Sequence, residues 1–205
     1  MDLKIIYEDE NIRVINKPAG VNSDDFEKRV HRLDKDTSGI LILAKNDEIL
    51  GFLQKQFKKR SVEKNYIALA IGSLKNNHGI IETMIDRSPS DRRKQKAFML
   101  LEPGAGKKRM AKTEYQTIKR FQDYTLLKVI PKTGRKHQIR THLAYLGHPI
   151  AGDKLYGFKN QPTPKNLNRQ FLHANKLKIK LSNGREQEFK SNLPADLEEI
   201  LKKLK

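Results

Sequence analysis

The chain has 205 residues, with 42 Lys and Arg against 24 Asp and Glu, a formal net charge of +18, and no cysteine. That charge selects polyanions as partners, nucleic acid above all; the missing thiols exclude disulfides, thiolate metal sites and thiol catalysis, and fit a reducing compartment. The apolar runs "ILILA" and "IALAI" are too short to cross a bilayer, and the charged start "MDLKIIYEDENIR" has no signal-like core, so a soluble cytoplasmic protein without a membrane partner is expected.

Residues 3–7, "LKIIY", and 12–15, "IRVI", read as short β runs joined by the turn-like "EDEN". "NKPAG" breaks the pattern with Pro18 and Gly20, and after "HRLDKDTSG" the run "ILILA" reads as a buried strand. A helix is predicted from Asn46, a capping residue followed by Asp47 and Glu48, with Ile49, Leu50, Leu53 and Phe57 on one face. "NYIALAIG" is the next strand. Residues 86–112 are rich in Lys, Arg, Pro and Gly and read as a basic excursion, with a β-hairpin about "EPGAGKKR". "TEYQTIKRF" and "YTLLKVI" follow as strands. "GRKHQIRTHLAYLG" predicts a helix with Ile139, Leu143 and Leu146 inward and Gly147 as its stop. "LKIKL" alternates as a half-buried strand, and "PADLEEILKKLK" closes as an amphipathic helix with Leu197, Ile200, Leu201 and Leu204 on one face. Many strands with few helices and no internal repeat imply an α+β fold, one domain over 1–205.

Asp34 lies between Arg32 and Lys35, and nearby positive charge favours an ionised carboxylate, suited to a nucleophile, general base or metal ligand. A turn cap or surface ion pair is the alternative on local features, and Asp36 beside Thr37-Ser38-Gly39 reads as turn chemistry. "PKTGRKHQIRTH" gathers Lys132, Arg135, Lys136, His137, Arg140 and His142 at a strand-to-helix turn, where amides and cations together suit phosphate. His137 and Arg140 are three apart and share a predicted helix face. The histidines show neither metal-site nor zincin spacing, and no phosphate-loop or dinucleotide fingerprint occurs, so no metal and no cofactor are expected. Tyr66 in its strand reads as a packing residue.

Together the segments "HRLDKDTSGILILAK", "KNYIALAIG", "RMAKTEY", "PKTGRKHQIRTHLAYLGHPIAGDKLYG" and "LHANKL", in that order, resemble the RluA-type family of pseudouridine synthases, and "IIYEDENIRVINKPAG" resembles the segment preceding its signature. The resemblance covers roughly residues 3–190. It implies a mixed, mainly antiparallel sheet with flanking helices and a central RNA-binding cleft, and isomerisation of uridine to pseudouridine in RNA without a cofactor. It makes Asp34 the nucleophile, Arg140 the arginine paired with it, and Tyr66 the tyrosine that stacks on the target base. Arg32 is the residue expected to enter the RNA stack once the uridine is flipped out. Lys17, Leu33, Arg135, His137 and Ile139 join Arg32 as substrate-binding residues. Arg92, Arg93, Lys107, Lys108 and Arg109 of the basic excursion are assigned to the RNA backbone. Ribosomal RNA is the expected partner, with tRNA as the other candidate, and a monomer is expected.

Two features depart from the family pattern. Ten residues, "VNSDDFEKRV", separate "NKPAG" from "HRLD" where relatives carry a longer insertion, and no N-terminal RNA-binding domain is expected ahead of the first strand. The rival readings are a non-catalytic RNA-binding or ribosome-assembly protein on the same fold, and a ribonuclease using two of His31, His137 and His142.

Overall fold

A computed structural model describes residues 3–101 and 108–205 of the protein. The chain forms two compact units, Met1–Tyr66 with Leu172–Ala195, and Ile67–Phe171 with Asp196–Lys205. Each is an α+β arrangement with mainly antiparallel strands. Among the described residues no helix is long and apolar enough to cross a membrane.

In the first unit, β1 (Lys4–Glu8), β2 (Ile12–Lys17) and β3 (Ser38–Ala44) form an antiparallel meander. The run "SGILILA" is buried along nearly its whole length, as a central strand must be. Helix α1 (Asp47–Lys59) starts where the sequence signals it: Asn46 Oδ1 accepts a hydrogen bond from the Ile49 amide. Ile49 and Leu53 are buried in a cluster that also contains Ile40, Ile42 and Leu177, and Leu50 and Phe57 pack against it. Past the first residues of β4 (Glu63–Ile71), the chain returns to this unit as β9 (Leu172–Lys180) and β10 (Glu186–Lys190), an antiparallel pair. The alternation of "LKIKL" holds: Leu177, Ile179 and Leu181 are buried while Lys180 is exposed. One parallel contact enters, Ser38 and Gly39 of β3 against His173 and Ala174 of β9.

In the second unit the end of β4 is followed in spatial order by β8 (Tyr124–Pro131), β7 (Arg109–Arg120), β5 (His78–Arg87) and β6 (Gln95–Phe98). Strand β5 pairs antiparallel with β6 on one side and β7 on the other. The stretch read as a basic excursion therefore contains a hairpin that turns over residues 88–94. The hairpin predicted about "EPGAGKKR" falls mostly on 102–107, outside the described residues. Helix α2 (Gln138–Tyr145) buries Ile139 and Leu143. Leu146, expected inward, is instead the C-cap and 37% exposed, because the helix ends at Tyr145 and Gly147 turns the chain at φ +82°. Helix α3 (Ala195–Lys203) buries Leu197 and Ile200.

A polar network roots α2. His142, with no exposed surface, has Nδ1 2.8 Å from Thr113 Oγ1 and Nε2 3.0 Å from Thr83 Oγ1. Gln138 Nε2 donates to Thr113 Oγ1 and to the Lys112 carbonyl, while its Oε1 accepts from Thr133 Oγ1 and the Arg135 amide. Burial lowers the His142 pKa from 6.5 to about 4. In the first unit burial, with the charge of Lys64, lowers that of His31 to about 3; its ring stacks on Phe57, and its Nε2 accepts from the Ile42 amide. Both folded-state values lie below the unfolded one, so the unfolded chain binds more protons between them. The stability these histidines contribute is complete above pH 6.5 and is lost as pH falls toward 4 for His142 and toward 3 for His31. His142 alone accounts for about 3 kcal/mol over that window at 1.36 kcal/mol per unit. Urea midpoints are expected to drop between pH 7 and 5, and the drop should shrink in His142→Gln; an unchanged pH slope in that variant would contradict the assignment.

Candidate active site

Asp34 sits half-buried in the loop that leads into β3, and neighbouring groups hold the backbone around it. Ser23 Oγ donates to the Leu33 carbonyl at 2.8 Å and accepts from the Leu33 amide at 3.0 Å. The Gly20 amide donates to the Lys35 carbonyl, and the Thr37 amide to that of Asp34. Lys17 is fully buried, and its Nζ donates to the carbonyls of Pro18, Val21 and Lys35 at 2.8, 2.8 and 3.0 Å. Three carbonyl dipoles can hold a buried ammonium where a bare apolar site could not. Behind the loop, His173 Nε2 lies 3.2 Å from the Ser191 carbonyl, so that nitrogen carries the proton and Nδ1 accepts from Ser38 Oγ at 2.9 Å. The short segment 21–30 thus supplies Ser23, which grips the residue before Asp34.

The cations beside Asp34 in sequence go elsewhere in part. Arg32 is exposed and ion-pairs with Asp24 at 3.4 Å, a carboxylate that also holds Arg29. Leu33 is buried. Tyr66, on the first half of β4, is half-buried, and its phenol is pushed above its ordinary pKa first by burial and then by the charge of Asp34. The tyrosine therefore keeps its proton at neutral pH.

In the second unit, His137 is not on the helix face with Arg140, as its spacing predicts. It is the N-cap of α2 at φ +53°, an uncommon conformation for a non-glycine residue, and its Nδ1 lies 2.9 Å from Tyr156 Oη. Arg135 Nε donates to the Met110 carbonyl, and Ile139 is in the core. Arg140 is 7% exposed, and its Nε and Nη2 donate to the two oxygens of Asp153 at 2.7 and 2.9 Å. Asp153, Tyr156, Gln138, Ser23 and His173 escaped the sequence reading as site residues. The segment "AGDKLYG" carried the only available signal for Asp153 and Tyr156, through the family resemblance.

Among the cations expected on RNA backbone, Arg92 and Arg93 lie exposed in the turn between β5 and β6, where Arg93 pairs with Asp91. Arg109 is exposed at the start of β7, and Lys108 Nζ stands 4.3 Å from the centre of the Phe98 ring, with Lys96 at 4.9 Å. Lys107 lies outside the described residues. Among the described residues no group of three or more His, Asp and Glu could hold a metal ion.

A family model described as RNA pseudouridylate synthase matches residues 11–145, which include Asp34, Tyr66 and Arg140. The chain is 39% identical to ribosomal large subunit pseudouridine synthase D of Borreliella burgdorferi, over 94% of this chain and 65% of that protein. It is 44% identical to an uncharacterized RNA pseudouridine synthase of Chloroflexus aurantiacus, over 85% of this chain and 52% of that protein. The chain thus spans between about half and two thirds of the length of these curated relatives. The structure of human RNA pseudouridylate synthase domain containing 1 superposes with a TM-score of 0.85 at 27% identity, over 97% of this chain and 87% of that one. The family match over residues 11–145, which spans both Asp34 and Tyr66, places the chain in the RNA pseudouridylate synthase family.

Proposed function

We propose that this protein isomerises uridine to pseudouridine in RNA, with Asp34 as nucleophile. The observation that carries the reading is the Asp34 loop itself: a carboxylate whose flanking peptides are held from Ser23, Lys17 and Gly20, beside a tyrosine that feels its charge. Preorganisation of that kind suits a group that must meet one carbon of a substrate. In the reaction the bond from the ribose anomeric carbon to uracil N1 breaks, the ring turns, and a bond from the same carbon to C5 forms. The proton on C5 leaves to solvent and N1 takes one up, so atoms balance without an oxidant or reductant. Tyr66, with its proton retained, stacks on the flipped uracil, and Arg32 fills the gap the base leaves. Arg140 keeps the role that the resemblance gives it; its support is burial and a guanidinium held by Asp153. In this reading the protein acts as a monomer in the cytoplasm and needs neither metal nor cofactor.

Ribosomal RNA is the proposed target and tRNA the alternative. The support is the Borreliella relative, whose name specifies the large ribosomal subunit. The test is tritium release from RNA labelled at uracil C5, with ribosomal RNA and tRNA offered separately from cells lacking the enzyme. Release from the ribosomal fraction alone supports the target; tight RNA binding with no release from either would favour a non-catalytic RNA-binding protein.

RNA affinity should fall steeply with salt, given a net charge of +18. Replacing both Arg92 and Arg109 with alanine is expected to flatten the slope of log K against log salt by roughly 0.7 to 0.9 for each phosphate no longer neutralised. An unchanged slope would remove these exposed cations from the backbone-binding surface.

A further inference from the structure

We propose that Asp153 and Tyr156 are positioning residues for Arg140, a clamp that fixes where its guanidinium points. The inference rests on the functional reading above and extends it to residues that reading leaves unassigned.

The geometry is specific. Asp153 is 1% exposed, and its two oxygens take the Nε and Nη2 edge of Arg140 in a fork-to-fork pair. The same carboxylate is itself fixed, because Oδ1 also accepts from the amides of Leu155 and Tyr156 at 2.9 and 3.0 Å. Burial pushes the Asp153 carboxyl up, and the hydrogen bonds and charge of Arg140, with those amides, more than reverse it. The carboxylate therefore stays ionised through neutral pH and the pair stays formed. Above it the centre of the Tyr156 ring lies 5.0 Å from the guanidinium carbon, a cation–π contact on the face of the fork.

Tyr156 is locked in turn. Its Oη accepts from the Gln95 amide at 2.7 Å and lies 2.9 Å from His137 Nδ1. One residue thereby joins strand β6, the entrance of α2 and the arginine on its first turn. The tight turn at Gly152 supports the same corner. Gly152 has φ +75°, and a Cβ there would stand 2.2 Å from the Arg169 carbonyl oxygen. With the Nε–Nη2 edge committed to Asp153, Nη1 is the end of the guanidinium directed away from the clamp. A clamp of this kind supplies direction more than charge, since the pair is neutral overall.

A positioning role differs from a merely structural one in how the substitutions combine. Asp153→Asn is expected to lower the single-turnover rate of tritium release about 100-fold, the scale of a misplaced catalytic group, with RNA affinity within about threefold of wild type. Tyr156→Leu, which keeps bulk and removes ring and hydroxyl, is expected to lower it about tenfold. On an Arg140→Lys background, whose ammonium cannot make the fork, each change should cost less than about threefold. The Arg140 Nε–H signal, read by NMR on RNA-free protein, should exchange slowly in wild type and rapidly in Asp153→Asn. Should Asp153→Asn fail to fold, Tyr156→Leu with and without Arg140→Lys decides the same point.

Equal losses on both backgrounds, or an effect on KM alone, would overturn the positioning role. Wild type and Asp153→Asn releasing tritium at equal rates would overturn it too, with the functional reading intact. No release from wild type with any RNA would overturn the functional reading, and the positioning role with it.

Discussion

Asp34→Ala protein is expected to release tritium from uracil-labelled RNA at least about 1000-fold more slowly than wild type, a loss of roughly 4 kcal/mol of transition-state stabilisation. Its RNA affinity and salt dependence should be unchanged within about twofold, because one carboxylate among a surplus of cations contributes little to a phosphate-driven term. The prediction separates chemistry from folding, because the loop's anchors act on main chain. Ser23 grips the Leu33 peptide, Lys17 and Gly20 grip the Lys35 carbonyl, and Thr37 donates to the Asp34 carbonyl. Removing the Asp34 carboxylate leaves all of these atoms in place. The thermal midpoint should therefore stay within a few degrees. Asp34→Asn, which keeps the shape and discards the charge, should be as inactive as alanine if attack by a carboxylate is the reaction. An Asp34→Ala enzyme with near wild-type turnover would end the proposed mechanism.

The parts of this fold legible in the sequence are those whose cause is local. The start of α1 is readable because Asn46, Asp47 and Glu48 meet the needs of a helix N-terminus within four residues, and Asn46 does cap Ile49. The alternation in "LKIKL" is readable because a pleated strand sorts its side chains every second residue. Strands β5, β6 and β10 are not evident in the sequence: their pattern is mixed, and what makes them strands is pairing with other segments of the chain. The site divides in the same way. Asp34 and Tyr66 are visible through segments that resemble the family signature, whereas local features alone give a turn residue and a packing tyrosine. Ser23, His173 and Asp153 act across 10, 135 and 13 positions, and nothing in their immediate neighbours announces it. Leu146 shows the opposite failure: its spacing is right for the apolar face, but the helix stops at Tyr145 and leaves it in the cap.

Gly39→Ala should be among the most damaging single substitutions that leave every proposed catalytic side chain in place. Gly39 has φ +122°, outside the regions open to residues with a Cβ. An added Cβ there would stand 2.3 Å from the oxygen and 2.6 Å from the nitrogen of Ala174, both main-chain atoms that no rotamer change can withdraw. The clash falls on the parallel contact of β3 with β9, where Ser38 pairs with His173 and Gly39 with Ala174. Forcing those strands apart also strains the Ser38–His173–Ser191 brace behind the Asp34 loop. A loss of about 3 kcal/mol or more is expected, lowering Tm by roughly 6–12 °C for a chain of this size. Gly51 is the control. It lies inside α1 with nothing within 4 Å of the point where a Cβ would stand, so Gly51→Ala should stabilise by about 0.5–1 kcal/mol through helix propensity. Opposite signs for the same chemical change would locate the effect in the β3–β9 approach, and equal, small effects would show that Ala174 can move aside.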